Sequence, residues 1–170
     1  MAGQRVYFMQ HGLAVDKADD PERPLSEAGI EQTENIARAL LSSGTVISRV
    51  YHSGKLRAAQ TADIIARASN LDAATMIEGL SPNDEVTLLS QNLDTSGALY
   101  VGHLPHLENL AAYLVTGSED TTIIKFQNSG VLCLERSGGH FHVRWLLIPE
   151  LAVYEYQQNA PSISGTEATT

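Results

Sequence analysis

Short apolar runs alternate with amphipathic helical stripes over about the first two-thirds of this chain, and that order restricts the fold more than anything else in it. Val6 to Met9 reads as a buried strand, and Gly12 as the residue that lets the backbone turn sharply after it. Ser26 is the expected N-cap of a helix with apolar positions Ile30, Ile36, Ala37, Leu40 and Leu41, ended by Ser42-Ser43-Gly44. Val46 to Tyr51 reads as the next strand. Ser53 is the expected cap of a second helix running to about Ala68, and Ala74 to Ile77 makes a short strand. Ser81-Pro82-Asn83-Asp84 supplies a cap serine, a proline at the first helical position and an early acid, which predicts a helix to about Gln91. A strand at Gly97 to Val101 then leads through Pro105 into a fourth helix, whose Leu107, Leu110, Ala111 and Leu114 form one stripe.

From Thr121 onward the pattern is β. Strands are expected at Ile123 to Phe126, Val131 to Glu135 and Phe141 to Leu147, with turns at Asn128-Ser129-Gly130 and Ser137-Gly138-Gly139. The expected fold class is therefore α/β in three layers. A mostly parallel mixed sheet carries helices on both faces and is extended by an antiparallel edge. Residues 1–157 are expected to form a single domain, and the small polar residues of 158–170 a flexible tail.

Composition narrows the function classes. A chain of 170 residues can bury a sizeable core, and its net charge of −9 argues against nucleic acid as a partner. The single cysteine, Cys133, excludes an internal disulfide framework. No run approaches the ~18 apolar residues of a membrane span, and no charged leader precedes a long apolar segment. A cytoplasmic protein is expected.

Three places bring polar groups to the C-terminal ends of predicted strands. They are His11 in Met9-Gln10-His11-Gly12, the segment His52-Ser53 with Arg57, and Gly102-His103-Leu104-Pro105. The second and third each begin a helix, where unpaired N–H groups and the helix dipole favour an anion. Two histidines, an arginine and two helix starts on one sheet edge describe a phosphate pocket. By contrast, His52 is expected to pack beside the site and His106 to line its rim. His140 and His142, on one face of an edge strand, are expected to be exposed.

These motifs carry a resemblance. Met9-Gln10-His11-Gly12, Arg23-Pro24-Leu25-Ser26 with Gly29, Ser53 with Arg57-Ala58 and Gln60-Thr61, Glu78-Gly79-Leu80-Ser81-Pro82, and Gly102-His103-Leu104-Pro105 occur in order. Together they resemble the histidine phosphatase superfamily and its phosphoglycerate mutase-like fold, most of all the small SixA-type phosphohistidine phosphatases. The resemblance implies that His11 is the nucleophile, passing through a phosphohistidine intermediate. Arg57 would grip the phosphoryl oxygens and His103 would donate to them, with Gln10, Gly12, Arg23 and Ser53 around the pocket. Neither a metal nor a cofactor is implied, and inorganic phosphate or sulfate should fit the pocket.

Residue 10 departs from the pattern, which has arginine before the nucleophile. A hydrogen bond to a charged group is worth roughly 1.5–3 kcal/mol, more than a neutral one. Losing that difference in the transition state slows turnover about 10- to 100-fold. Arg23 or Lys55 is the candidate replacement cation. Glu78 is the nearest candidate for a general acid. The segment from Asn70 to Asn83 is too short for a lid, so an open groove is expected, suited to a phosphorylated side chain on a folded protein. A weakened phosphoprotein-binding module and a phosphatase for small esters are the alternatives.

Overall fold

The computed structural model describes residues 4–152 of the chain, so the expected polar tail at 158–170 lies outside the described residues. In chain order run β1 (Gln4–Gln10), α1 (Glu27–Ser42), β2 (Arg49–His52), α2 (Leu56–Ala68), β3 (Thr75–Met76) and α3 (Val86–Ser90). There follow β4 (Ser96–Gly102), α4 (His106–Thr116), β5 (Val131–Ser137) and β6 (His140–Leu147). The six strands form one sheet in the order β3-β2-β4-β1-β5-β6. β1, β2, β3 and β4 run parallel to one another, whereas β5 pairs antiparallel with β1 and β6 antiparallel with β5. This is the three-layer mixed sheet that the strand–helix alternation predicts.

Central β1 shows why the helices take opposite faces. Val6 to Met9 are all buried, and successive side chains point to opposite sides of a strand. Tyr7 and Met9 join Ile36 and Leu40 of α1 and Ala58 and Ile65 of α2. Val6 and Phe8 join Val86 of α3 and Leu107 and Leu110 of α4. Each Val, Leu, Ile, Phe or Met among them, fully buried, stabilises the fold by about 1.5–3 kcal/mol.

Several local expectations are corrected. Ile30 and Leu41 lie on the exposed side of α1. Strand β2 starts at Arg49 rather than Val46, which is exposed. The Ser81 motif does not start a helix, because the Asp84 carboxylate reaches back to accept the Ser81 N–H and closes a separate turn. Helix α3 begins only at Val86. Ile123 to Phe126 form no strand. The Phe126 N–H donates to the Glu108 carboxylate of α4, and Ile123 and Ile124 pack into the core beside α4 without a strand partner. Helix α4 begins at His106, with Pro105 in the capping position.

Gly12 also differs from expectation, since its φ is not left-handed. Close approach requires it instead. A Cβ there would lie 2.8 Å from the Thr33 hydroxyl and 3.0 Å from Leu25. Gly29 is tighter still, since a Cβ would fall 2.0 Å from the Leu13 carbonyl oxygen. Alanine normally stabilises a helix relative to glycine, by about 1 kcal/mol. Here overpacking reverses the sign, so Gly29→Ala should cost about 1–3 kcal/mol and lower the melting temperature. Thermal unfolding followed by circular dichroism checks this, and an unchanged or raised melting point contradicts it.

Candidate active site

Because β1 to β4 are parallel, their C-terminal ends share one edge of the sheet, and that edge collects the polar residues. His11 follows β1, Ser53 follows β2, and His103 follows β4. Arg57 is the second residue of α2. The structure brings these four together. The rings of His11 and His103 lie with centroids 5.0 Å apart. Arg57 Nε donates to His11 Nε2 at 3.2 Å, and Ser53 Oγ lies 2.6 Å from His103 Nε2. Ser53 is therefore not the helix cap that its position in the sequence predicts. Lys55 occupies the capping position without a side-chain bond, and the serine hydroxyl serves His103 instead.

The partners of His11 settle its tautomer. Nδ1 lies 2.7 Å from the Gly12 carbonyl oxygen, which can only accept, so Nδ1 carries the proton. Arg57 can only donate, so Nε2 presents a lone pair. Burial, aided by the charges of Arg57 and Arg23, holds the His11 pKa down to about 4, against the pull of the Gly12 hydrogen bond. Burial and then His11, Arg57, Lys55 and His106 take His103 down to about 3. Both rings are neutral at pH 7, while Arg57 stays charged although burial and Arg23 lower its pKa.

Arg23 thus acts on both His11 and Arg57. It sits at φ 52° at the foot of a hairpin closed by Val15 N–H donating to the Pro24 carbonyl, and its Nε donates to Val15 O. Left-handed backbone at a non-glycine residue costs roughly 1–3 kcal/mol and persists where its surroundings hold it. Gln10 ends β1 beside Gly102 of β4, and its amide oxygen is buried without a hydrogen-bond partner among the described residues. Glu78 follows β3 on the same sheet edge and is exposed. His52 accepts the Gly54 N–H and shapes the turn before α2. His140 and His142 are exposed, and among the described residues no group of His, Cys, Asp or Glu could hold a metal ion.

The groups that hold these residues in place have no role evident from the sequence. Thr61 Oγ1 accepts the Gly12 N–H at 2.9 Å and donates to the Arg57 carbonyl at 2.7 Å, tying the His11 turn to α2. Gln60 Oε1 accepts the Leu25 N–H and ties the Arg23 loop to the same helix. Asn128 Nδ2 and the Ser129 N–H donate to the His11 carbonyl, and the Ser129 hydroxyl meets buried Thr33. Buried hydroxyls inside helices were the available signal. His106 corrects the expectation most sharply, being 1% exposed rather than on the rim.

Two measurements follow. Thr61→Val preserves shape but leaves the Gly12 N–H unpaired, so it should cost about 1–3 kcal/mol in urea unfolding. Thr61→Ser should recover most of that loss, and equal stability of wild type and Thr61→Val contradicts the role. The unfolded chain protonates its histidines near pH 6.5, whereas folded His11 waits until about 4 and His103 until about 3. The unfolded state therefore binds more protons in that window, and stability falls as pH drops from about 6.5 toward 4. A lower urea midpoint at about pH 5 than at about pH 7.5 checks this, and a flat profile refutes it.

Known proteins resemble the chain over most of its length. The family model of the histidine phosphatase superfamily (branch 1) matches residues 6–81. The phosphohistidine phosphatase SixA of Escherichia coli K12 is 30% identical over 153 residues, covering 85% of this chain and 94% of that protein. An uncharacterized protein of Picosynechococcus sp. is 31% identical over 142 residues, or 78% of this chain and 85% of its own. In three dimensions, the protein histidine phosphatase SixA complexed with tungstate superposes with a TM-score of 0.76 at 29% identity, covering 86% of this chain and 98% of that one. The chain belongs to the histidine phosphatase superfamily and is a hydrolase of that family.

Proposed function

We propose that this protein is a metal-independent phosphohistidine phosphatase, acting on a phosphorylated side chain of a signalling protein through a phosphohistidine intermediate on His11. The observation that carries the reading is the state of His11. Its Nε2 lone pair faces Arg57, and its Nδ1–H is anchored on the Gly12 carbonyl. Neutral Nε2 attacks phosphorus in line, forming the Nε2–P bond as the P–N bond of the substrate breaks. The electron pair goes to the substrate imidazole, which leaves neutral when its other nitrogen carries a proton. A strong acid is then unnecessary, which suits the exposed position of Glu78. The phosphorylated His11 ring becomes cationic, and the Gly12 carbonyl stabilises it until water releases phosphate.

Arg57 would turn its planar fork from His11 to the phosphoryl oxygens, and His103 would donate to them from Nε2. Arg23 supports the replacement of the charge that Gln10 lacks, since its field already reaches both His11 and Arg57. Few residues separate α2 from α3, and the only strand among them is two residues long. That supports an open groove and a protein-borne phosphoryl group. A single buried cysteine suits a cytoplasmic setting.

The test is release of ³²P-phosphate from a phosphohistidine-bearing phosphotransfer domain. Wild type should release it and His11→Ala should not. Gln10→Arg should raise the rate at least several-fold. Binding without release by the wild type would sink the catalytic reading, and label retained covalently by His11→Ala would refute the nucleophile.

A further inference from the structure

The glycine at position 12 leaves His11 on a backbone that side-chain bulk cannot hold. Close approach of Thr33 and Leu25 excludes a Cβ there, and a residue without Cβ has wide conformational freedom. Even so, the Gly12 carbonyl lies 2.7 Å from His11 Nδ1, the contact that places the proton on that nitrogen. Hydrogen bonds from other segments have to supply the rigidity that glycine gives up.

Those bonds converge on the peptide group between His11 and Gly12. At one end the Gly12 N–H donates to Thr61 Oγ1 at 2.9 Å. At the other, the His11 carbonyl accepts from Asn128 Nδ2 at 2.9 Å and, more weakly, from the Ser129 N–H at 3.3 Å. A peptide group is planar, so bonds at both ends fix its tilt as well as its place. Asn128 lies in a tight turn that the Gly130 N–H closes by donating to the Gln127 carbonyl at 2.9 Å. That turn is bound to the end of β1, where Gln10 donates its N–H to the Gly130 carbonyl at 3.2 Å and accepts the Ser129 N–H at 3.1 Å. Ser129 is fully buried at φ 62°, a conformation uncommon for a residue with a side chain. Thr33 gives its own proton to the Gly29 carbonyl, so the Ser129 hydroxyl is the donor in the 2.9 Å bond between the two. Ser129 thus anchors the turn, and Asn128 beside it directs its amide to the His11 carbonyl.

We propose that Asn128 is a positioning residue for the nucleophile, its side-chain N–H fixing the His11–Gly12 peptide so that His11 Nε2 stays in line for attack. The inference rests on the role given to His11 above. A carbonyl only accepts, so the group facing it must donate, and asparagine does so without adding charge beside His11. Among the described residues, Asn128 bonds to none of Arg57, Ser53 and His103, so the groups that hold the phosphoryl oxygens do not depend on it. Its loss therefore falls on kcat and spares KM. The substrate binds as before, while the attacking atom wanders from the line of attack.

The experiment compares wild type, Asn128→Asp and Asn128→Ala at a temperature where all three are folded by circular dichroism. It measures kcat and KM for phosphate release from the phosphohistidine-bearing phosphotransfer domain, and exchange of the His11 Nδ1 proton by NMR of ¹⁵N-histidine-labelled protein. Ionised aspartate keeps the shape of asparagine but has no N–H. Asn128→Asp should lower kcat about 10- to 100-fold with KM within about twofold of wild type, and should speed loss of the Nδ1 proton. Asn128→Ala should do the same, and it carries the test alone if the aspartate variant does not fold. The inference is overturned if the folded variants keep the wild-type kcat, or if KM rises while kcat stays. It is equally overturned if kcat falls while exchange of the Nδ1 proton is unchanged. Should wild type itself release no phosphate, the phosphatase reading fails and exchange alone decides the inference: faster in the variants upholds the positioning of His11, unchanged overturns it.

Discussion

The hydroxyl of Thr61 is the point on which the site depends. One oxygen accepts the N–H of Gly12 and donates to the carbonyl of Arg57, so the nucleophile candidate and its arginine are held to one atom. Its neighbour Gln60 captures the loop that carries Arg23. Helix α2 thereby supplies one cation directly and fixes two other segments by side chains one turn further on. These bonds are short and buried or part-buried, where a hydrogen bond is stronger than in water and an unpaired group is costly. Rigidity is what an in-line attack requires, since small misplacements of reacting groups cost large factors in rate.

Much of this was legible in the residues. Strand alternation around Val6 to Met9 and the polar groups after β1, β2 and β4 located the site edge, because parallel strands must end together. His11, Arg57 and His103 could be read from motifs for that reason. Ser53 and Ser81 are not legible in this way, because a serine before a helical pattern looks like a cap whatever its hydroxyl does. In the fold, one faces His103 across 50 positions of chain, and the other is held in a turn by Asp84. Ile123 to Phe126 look like a strand by composition, but their partner is the side chain of Glu108. Thr61 stayed hidden for a further reason. Its importance lies in the distant Gly12 N–H it meets, and periodicity carries no such information.

Neutral histidines and charged arginines divide the work of the pocket. Burial strips His11 and His103 of charge, so on the proposed function attraction for a phosphoryl group would fall to Arg57, Arg23 and Lys55. Where the resembling family pattern has arginine, Gln10 brings no charge but a buried acceptor that an arginine could not provide. The substitution changes hydrogen-bond polarity as well as electrostatics.

On the proposed function, the hairpin that holds Arg23 in its left-handed turn would also set how a substrate arrives. Its tip carries exposed Asp16, Asp19 and Glu22, in a protein of net charge −9. Beyond a Debye length of ~8 Å, screening hides these charges, and inside it an incoming phosphate meets repulsion before it meets the guanidinium groups. On the function proposed above, a bare phosphate ester would cross that fringe unaided, whereas a phosphoryl group carried on a surface with its own basic residues would be drawn across by the same acids, and the fringe would discriminate by carrier rather than by phosphate.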